Sequence, residues 1–228
     1  MNRIGIIAAL PGELKPLVRG SQVRGRQARG RNTWAGRIAG CEAIAIAGGM
    51  GAAAAERAAE RAIAEINANV LVSYGWVGAL TCAVKPRAVC EISEVVDDAS
   101  GERYKTALAD GFRLITLDHV ARPDEKRGLA QKHQSVLVDM EAAAVARVAA
   151  KHGAAFYCFK GVSDGYDDRL PDFNRFINGA GEMRMVAFAG YAMTHPQYWA
   201  TLVRLGRNSS AAAEALASSL KQSLQQLR

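Results

Sequence analysis

The chain has 228 residues, half of them apolar and 22% charged, with a formal net charge of +7. That balance fills a sizeable core and excludes a disordered chain, and no apolar run reaches the length a membrane span needs. Four scattered histidines and four cysteines (Cys41, Cys82, Cys90, Cys158) match no metal or redox spacing. No metal is therefore implied, and the cysteines are expected as reduced core residues of a cytoplasmic protein.

Residues 4–9 form an apolar run that leads straight into Pro11-Gly12-Glu13, which reads as a first strand rather than a targeting segment. Positive charge then gathers in Arg19, Arg24, Arg26, Arg29, Arg31 and Arg37. No aromatics are interleaved to stack bases, so a solvated loop or hairpin is favoured over a nucleic-acid surface. Residues 34–47 suggest a hairpin turning near Gly40, with 42–47 as its buried strand. Gly48-Gly49-Met50-Gly51 leads into an Ala/Glu/Arg helix over 52–66. A short apolar strand over 69–74 ends at Gly75-Trp76-Val77-Gly78, and further strands are expected over 87–96 and 114–117.

Residues 135–138 are a short apolar run that Asp139 breaks as an N-cap. A helix over 142–151 follows, closed by Gly153, where a left-handed residue costs little. A second strand over 154–162 ends at Ser163-Asp164. Glu141 and Asp164 thus stand at the ends of successive buried segments, and in an open α/β sheet ligands bind outside the carboxyl ends of the strands. The last helix, 209–228, carries Leu216, Leu220, Leu224 and Leu227 on one stripe, suited to docking on the body or on a neighbouring subunit. The alternation argues for a largely parallel or mixed sheet covered by helices in one domain.

Three motifs compete for the chemistry. Gly49-Met50-Gly51-Ala52-Ala53-Ala54 has the dinucleotide pattern G-x-G-x-x-A, but the next strand ends Ser73-Tyr74-Gly75 without the acid that would hold a ribose. Gly161-Val162-Ser163-Asp164-Gly165 has the nucleophile-elbow pattern, with Asp172 and His195 following in order. The helix that an elbow requires is replaced by loop chemistry. The third reading joins Glu13, Glu141 and Asp164.

The segments around those acids (residues 4–13, 48–51, 73–80, 138–144 and 162–164) resemble, in order, the nucleoside phosphorylase and nucleosidase superfamily, most closely the methylthioadenosine/S-adenosylhomocysteine nucleosidases. The resemblance implies a three-layer phosphorylase-like α/β fold, a mixed central sheet flanked by helices. It would span residues 1–228 as a single domain, with a C-terminal helical extension over about 196–228 and a homodimeric state. It implies cleavage of a purine nucleoside, with no cofactor. Asp164 would be the general acid, kept protonated by a desolvated site. Ser163 would orient it, and Glu141 and the Met140 backbone would hold the ribose. Glu13 would position a water, as in glycoside hydrolysis.

Gly75, Trp76, Val120 and Phe173 complete the expected substrate contacts. Trp76 stands where relatives carry a small residue, often a serine that helps hold phosphate. Val120 stands where the nucleosidases place an aromatic against the purine. The stretch between Val96 and Leu114 lacks a helix that usually closes the 5′ side. That compactness, with Arg169-Leu170-Pro171 after the S-D motif, resembles the hopanoid-associated phosphorylase group and implies room for a larger or greasier 5′ substituent, walled by Phe173 and Phe176. Phosphorolysis stays open, with Gly49 and Arg19 as phosphate contacts, and so does a protein that binds a nucleoside without cleaving it.

Overall fold

β1 (Arg3–Ala8) is a central strand of a ten-stranded sheet, and its three isoleucines are buried because helices cover both faces. The computed structural model describes residues 2–28, 31–179 and 181–226. After β1 come α1 (Pro11–Val18), the strands β2 (Gln22–Ala28), β3 (Arg31–Ile38) and β4 (Cys41–Ala47), then α2 (Ala52–Ile66) and β5 (Val70–Ala79). The second half supplies β6 (Val89–Asp97), β7 (Arg103–Lys105), β8 (Phe112–Thr116), α3 (Pro123–His133) and β9 (Leu137–Asp139). It ends with α4 (Ala142–His152), β10 (Ala155–Asp164), α5 (Met185–Thr194) and α6 (Trp199–Gln226).

The sheet runs β10-β6-β8-β9-β5-β1-β4-β3-β2, with β7 beside β6 and β10 also paired to β5. Five strands therefore close on themselves, and β5 is where this ring joins the flatter half. The first part of β5 lies parallel to β1 and β10, whereas Gly78 and Ala79 pair antiparallel with Val138 and Leu137 of β9. The strand was expected to stop at Gly75; it bends there instead, with φ +146°, and runs on to Ala79. Only glycine fits, since a Cβ at Gly75 would lie 2.5 Å from Glu13 Oε1.

α2 and α4 cover one face through small side chains such as Ala58, Ala62, Ala144 and Val148. α1 and α6 cover the other, where Leu14, Leu17, Leu216, Leu220 and Leu224 meet Ile4, Ile6 and Tyr74. The expected leucine stripe thus docks on the body; Leu227 lies outside the described residues. α6 begins at Trp199, well before the expected start at 209, because Gly206 is absorbed within the helix. The arginine run falls mainly on the edge hairpin β2–β3, and its Arg29 lies outside the described residues.

α2 coincides with the expected 52–66, and Gly153 ends α4 with φ +64°. Asp139 departs from expectation as the last residue of β9, with Glu141 in the flanking position before α4. Its Oδ2 still accepts from Ala142 N at 3.0 Å, so it caps the helix from outside. Cys41, Cys90 and Cys158 are buried as expected; Cys82 is exposed, in the turn after β5. Among the described residues no helix is long and apolar enough to cross a membrane.

Candidate functional site

The carboxyl ends of β5, β9 and β10 converge with the first turns of α1 and α4 on a cavity of about 260 Å³. That space suits a small molecule rather than a polymer. Its polar lining includes Glu13, Asp139, Glu141, Ser163, Asp164 and Lys126, set among apolar side chains.

Glu13 stands in the first turn of α1, where a carboxylate favours the helix N-terminus. It is buried, accepting from Leu10 N at 2.7 Å through Oε2 and from Trp76 N at 2.8 Å through Oε1. Burial pushes its pKa up, partly countered by those two N–H donors and by Lys160.

Glu141 accepts from Gly51 N at 2.8 Å and from Met140 N at 3.2 Å. Its pKa is pushed up to about 7, by burial first and then by the neighbouring Asp139 carboxylate. Asp139 itself is saturated: Thr116 Oγ1 donates at 2.7 Å, Ala142 N at 3.0 Å, and the buried Lys160 ammonium sits 2.8 Å from its Oδ2. Burial alone would lower the pKa of Lys160, but Asp139, with Glu141 nearby, outweighs it and holds the ammonium charged. Three carboxyl groups thus share one buried cation. Asp139 takes it most closely, which leaves Glu13 and Glu141 as the groups that burial disfavours as anions.

Asp164, the last residue of β10, is buried and was expected to stand in a desolvated site with Ser163 orienting it. The structure also pairs it with Lys126 on α3, whose ammonium lies 2.7 Å from Asp164 Oδ2 and 2.8 Å from the Gly165 carbonyl. Lys126 is only 3% exposed. The physical reason is plain: a buried charge needs a partner, and α3 supplies one from outside the strand ends. Ser163 Oγ lies 2.7 Å from Asp164 Oδ1 and 3.1 Å from the Val77 carbonyl. Its one proton serves either acceptor. A charged Asp164 receives it, whereas a protonated Asp164 donates to Ser163, whose proton then turns to Val77.

The remaining expected residues divide. Met140, Trp76, Val120 and Phe173 line the cavity, and Gly75 shapes it from behind Glu13. Trp76 is fixed by its indole N–H, which donates to the Ser209 carbonyl at 2.9 Å. Val120 is clamped by Asn174, which accepts from Val120 N and donates to its carbonyl. His119 lines the wall beside it, its pKa raised by Asp118 and then Glu125. Phe176 lies behind Phe173, both rings packed against Phe188.

Neither residue expected to contact phosphate is placed to do so. The Arg19 side chain is 72% exposed and pairs with Glu214, and Gly49 N donates to the Ala9 carbonyl. The dinucleotide reading loses its anion cradle as well, because Gly51 N already faces the Glu141 carboxylate. The serine-hydrolase reading fails on partners. His195 Nδ1 bonds the Tyr191 carbonyl and Thr194, and Asp172 caps the turn Phe173–Phe176; neither reaches Ser163. Among the described residues no group of three or more His, Cys, Asp or Glu is arranged to hold a metal.

Sequence reasoning missed Lys126, Lys160 and Asp139. Lys160 carried a signal, a lone cation inside the apolar run Phe156–Val162, which demands a buried counter-charge. Lys126 carried none.

A family model described as the Phosphorylase superfamily matches residues 3–107 and 103–188. No curated protein matches. Among solved structures, a 5′-methylthioadenosine/S-adenosylhomocysteine nucleosidase from Helicobacter pylori is similar at 17% identity, covering 99% of each chain with a TM-score of 0.73. Futalosine hydrolase from the same organism is similar at 17% identity over 99% of this chain and 98% of that one, with a TM-score of 0.74. An S-adenosylhomocysteine nucleosidase from Streptococcus pyogenes is similar at 18% identity over 100% and 98%, also with a TM-score of 0.74. At such identities these likenesses establish the fold.

Proposed function

The chain belongs to the phosphorylase superfamily, and from that premise we propose that it hydrolyses the N-glycosidic bond of an adenosine-type nucleoside, with Asp164 as general acid. The observation that carries this reading is one small cavity holding two kinds of acid. Glu13 and Glu141 are carboxyls bound to backbone N–H groups, whereas Asp164 is backed by an ammonium.

Breaking the bond develops positive charge on the sugar and negative charge on the departing base. Glu141, as a carboxylate, accepts hydrogen bonds from the ribose hydroxyls and favours the cationic sugar. Asp164 relays to the purine a proton drawn from the Lys126 ammonium along the 2.7 Å contact, which leaves a neutral Lys126 amine beside the Asp164 carboxylate, so the buried pair acts as one donor. Glu13 orients the attacking water. Gly75, which abuts Glu13, and Gly78, which abuts Asp164, are three positions apart on β5, roughly 10 Å along a strand. Glu13 and Asp164 therefore abut β5 at two different points in the lining of one cavity. The nucleosidase and hydrolase names of the similar structures support hydrolysis over phosphorolysis, as do the positions of Arg19 and Gly49.

The apolar cavity wall of Phe173, Met183 and Leu205 supports a nucleoside with an apolar 5′ substituent, a hopanoid-linked adenosine being one such compound. Incubation with methylthioadenosine, S-adenosylhomocysteine and adenosine, with and without phosphate, tests the reading. Adenine release without phosphate is expected; strict phosphate dependence overturns hydrolysis, and no release from any nucleoside overturns cleavage.

A further inference from the structure

α5 has the composition of a buried helix and none of its residues is buried. Its inner side packs through Phe188 and Tyr191 on Phe173 and Phe176. Its outer side presents Met185, Ala189 and Met193, spaced four residues apart and so on one stripe, with Val186 beside them. Val186 is 90% exposed and Met193 71%. The stripe does not end with the helix. The Trp199 indole N–H donates to the Ala192 carbonyl at 2.7 Å, which ties the start of α6 to the end of α5. From there Trp199, Val203 and Arg207 repeat the same four-residue spacing along α6, all exposed. Scattered exposed apolar residues need no explanation, but a continuous stripe of five large ones does.

Charge gives the patch a direction. From Met183 to Ala213 the chain carries no acidic residue, while Arg184, Arg204 and Arg207 lie in that span. Arg204 pairs with Asp168; Arg184 and Arg207 have no acidic partner among the described residues. An exposed apolar surface flanked by unpaired arginines suits an anionic bilayer, which takes apolar side chains below its headgroups, arginines beside them and tryptophan at the headgroup level. A second copy of the chain fits less well, because a two-fold contact would set these cationic ends against themselves.

We propose that this surface seats the protein on an anionic lipid bilayer, with α5 in the interfacial plane, Met185, Val186 and Met193 facing the acyl chains and Trp199, Arg184 and Arg207 at the headgroups. The seat adjoins the site. Phe173, packed against the inner side of α5, also lines the cavity, as do Met183 just before α5 and Leu205 on α6. A ligand with an apolar group can then pass between bilayer and cavity under α5. The surface rests on exposure and charge alone and stands whatever the reaction.

Sedimentation with vesicles tests it. The protein is expected to pellet with vesicles of equal parts phosphatidylcholine and phosphatidylglycerol, to be released by salt, and to remain free of pure phosphatidylcholine. Met193→Glu, and separately Val186→Glu, should abolish pelleting with an unchanged circular dichroism spectrum, since both side chains are exposed. Arg184→Gln with Arg207→Gln should lower partitioning about thirtyfold, given the contribution of each arginine near an anionic surface. Failure to pellet with the anionic vesicles overturns the proposal. So does a wild-type dimer that light scattering shows dissociating in Met193→Glu, since a second copy would then own the face.

Discussion

Lys126→Met removes a buried ammonium without opening a large void, so its effect isolates the ion pair beneath the proposed acid. The wild-type ammonium makes contacts of 2.7 and 2.8 Å to Asp164 Oδ2 and the Gly165 carbonyl. The variant strands both acceptors, one of them charged, in a region where neither Lys126 nor Asp164 is more than 9% exposed. Removing one partner of a buried pair costs about 3–5 kcal/mol, which in a domain of this size lowers Tm by about 6–20 °C. Asp164→Asn in the Lys126→Met background should recover much of the loss, and denaturant melts of the four proteins at two pH values give the coupling directly. Adenine release by Lys126→Met should fall with the stability corrected for. A variant as stable and as active as wild type at neutral pH would refute the pairing and the proton relay together.

Glu141, with a pKa near 7, holds in the folded state a proton that the unfolded chain has released above about pH 4.5. Stability should therefore fall as pH rises through that window, by up to about 1.4 kcal/mol per unit, and Glu141→Gln should flatten that slope in pH-dependent melts. The ribose contact needs the carboxylate, so kcat/KM for adenosine-type nucleosides should decline below about pH 7, and an unchanged profile in Glu141→Gln would count against the contact. Gly75→Ala drives a Cβ to 2.5 Å from Glu13 Oε1 and should displace that carboxylate. Loss of hydrolysis with base binding retained, seen by calorimetry with adenine, is the expected outcome. Leu220→Ala, fully buried between α6 and the sheet, should cost about 2–5 kcal/mol in urea melts, whereas loss below 1 kcal/mol would mean that α6 is not docked.

Much of the scaffold was legible because its signals are local. Ala52–Ile66 announces itself by composition, and Glu141 and Asp164 follow from where apolar runs stop. β5 was cut short because glycine reads as punctuation, although Gly75 serves a close approach of Glu13 within a continuing strand. α3 was passed over since Pro123–His133 is almost wholly polar, and nothing in that charged segment marks Lys126 as the residue turned inward. Its burial follows from the partner it meets across the fold, a fact of topology. The reverse holds for α5, whose apolar sequence suggests burial that the fold does not supply.

Adenine release by Asp164→Asn, followed against wild type under saturating methylthioadenosine in phosphate-free buffer, bears most directly on the chemistry. Loss of the transferable proton should depress kcat by about a hundredfold or more while nucleoside binding persists. Turnover within a few-fold of wild type would show that the proton reaches the base by another route, and the role given to Asp164 would be wrong.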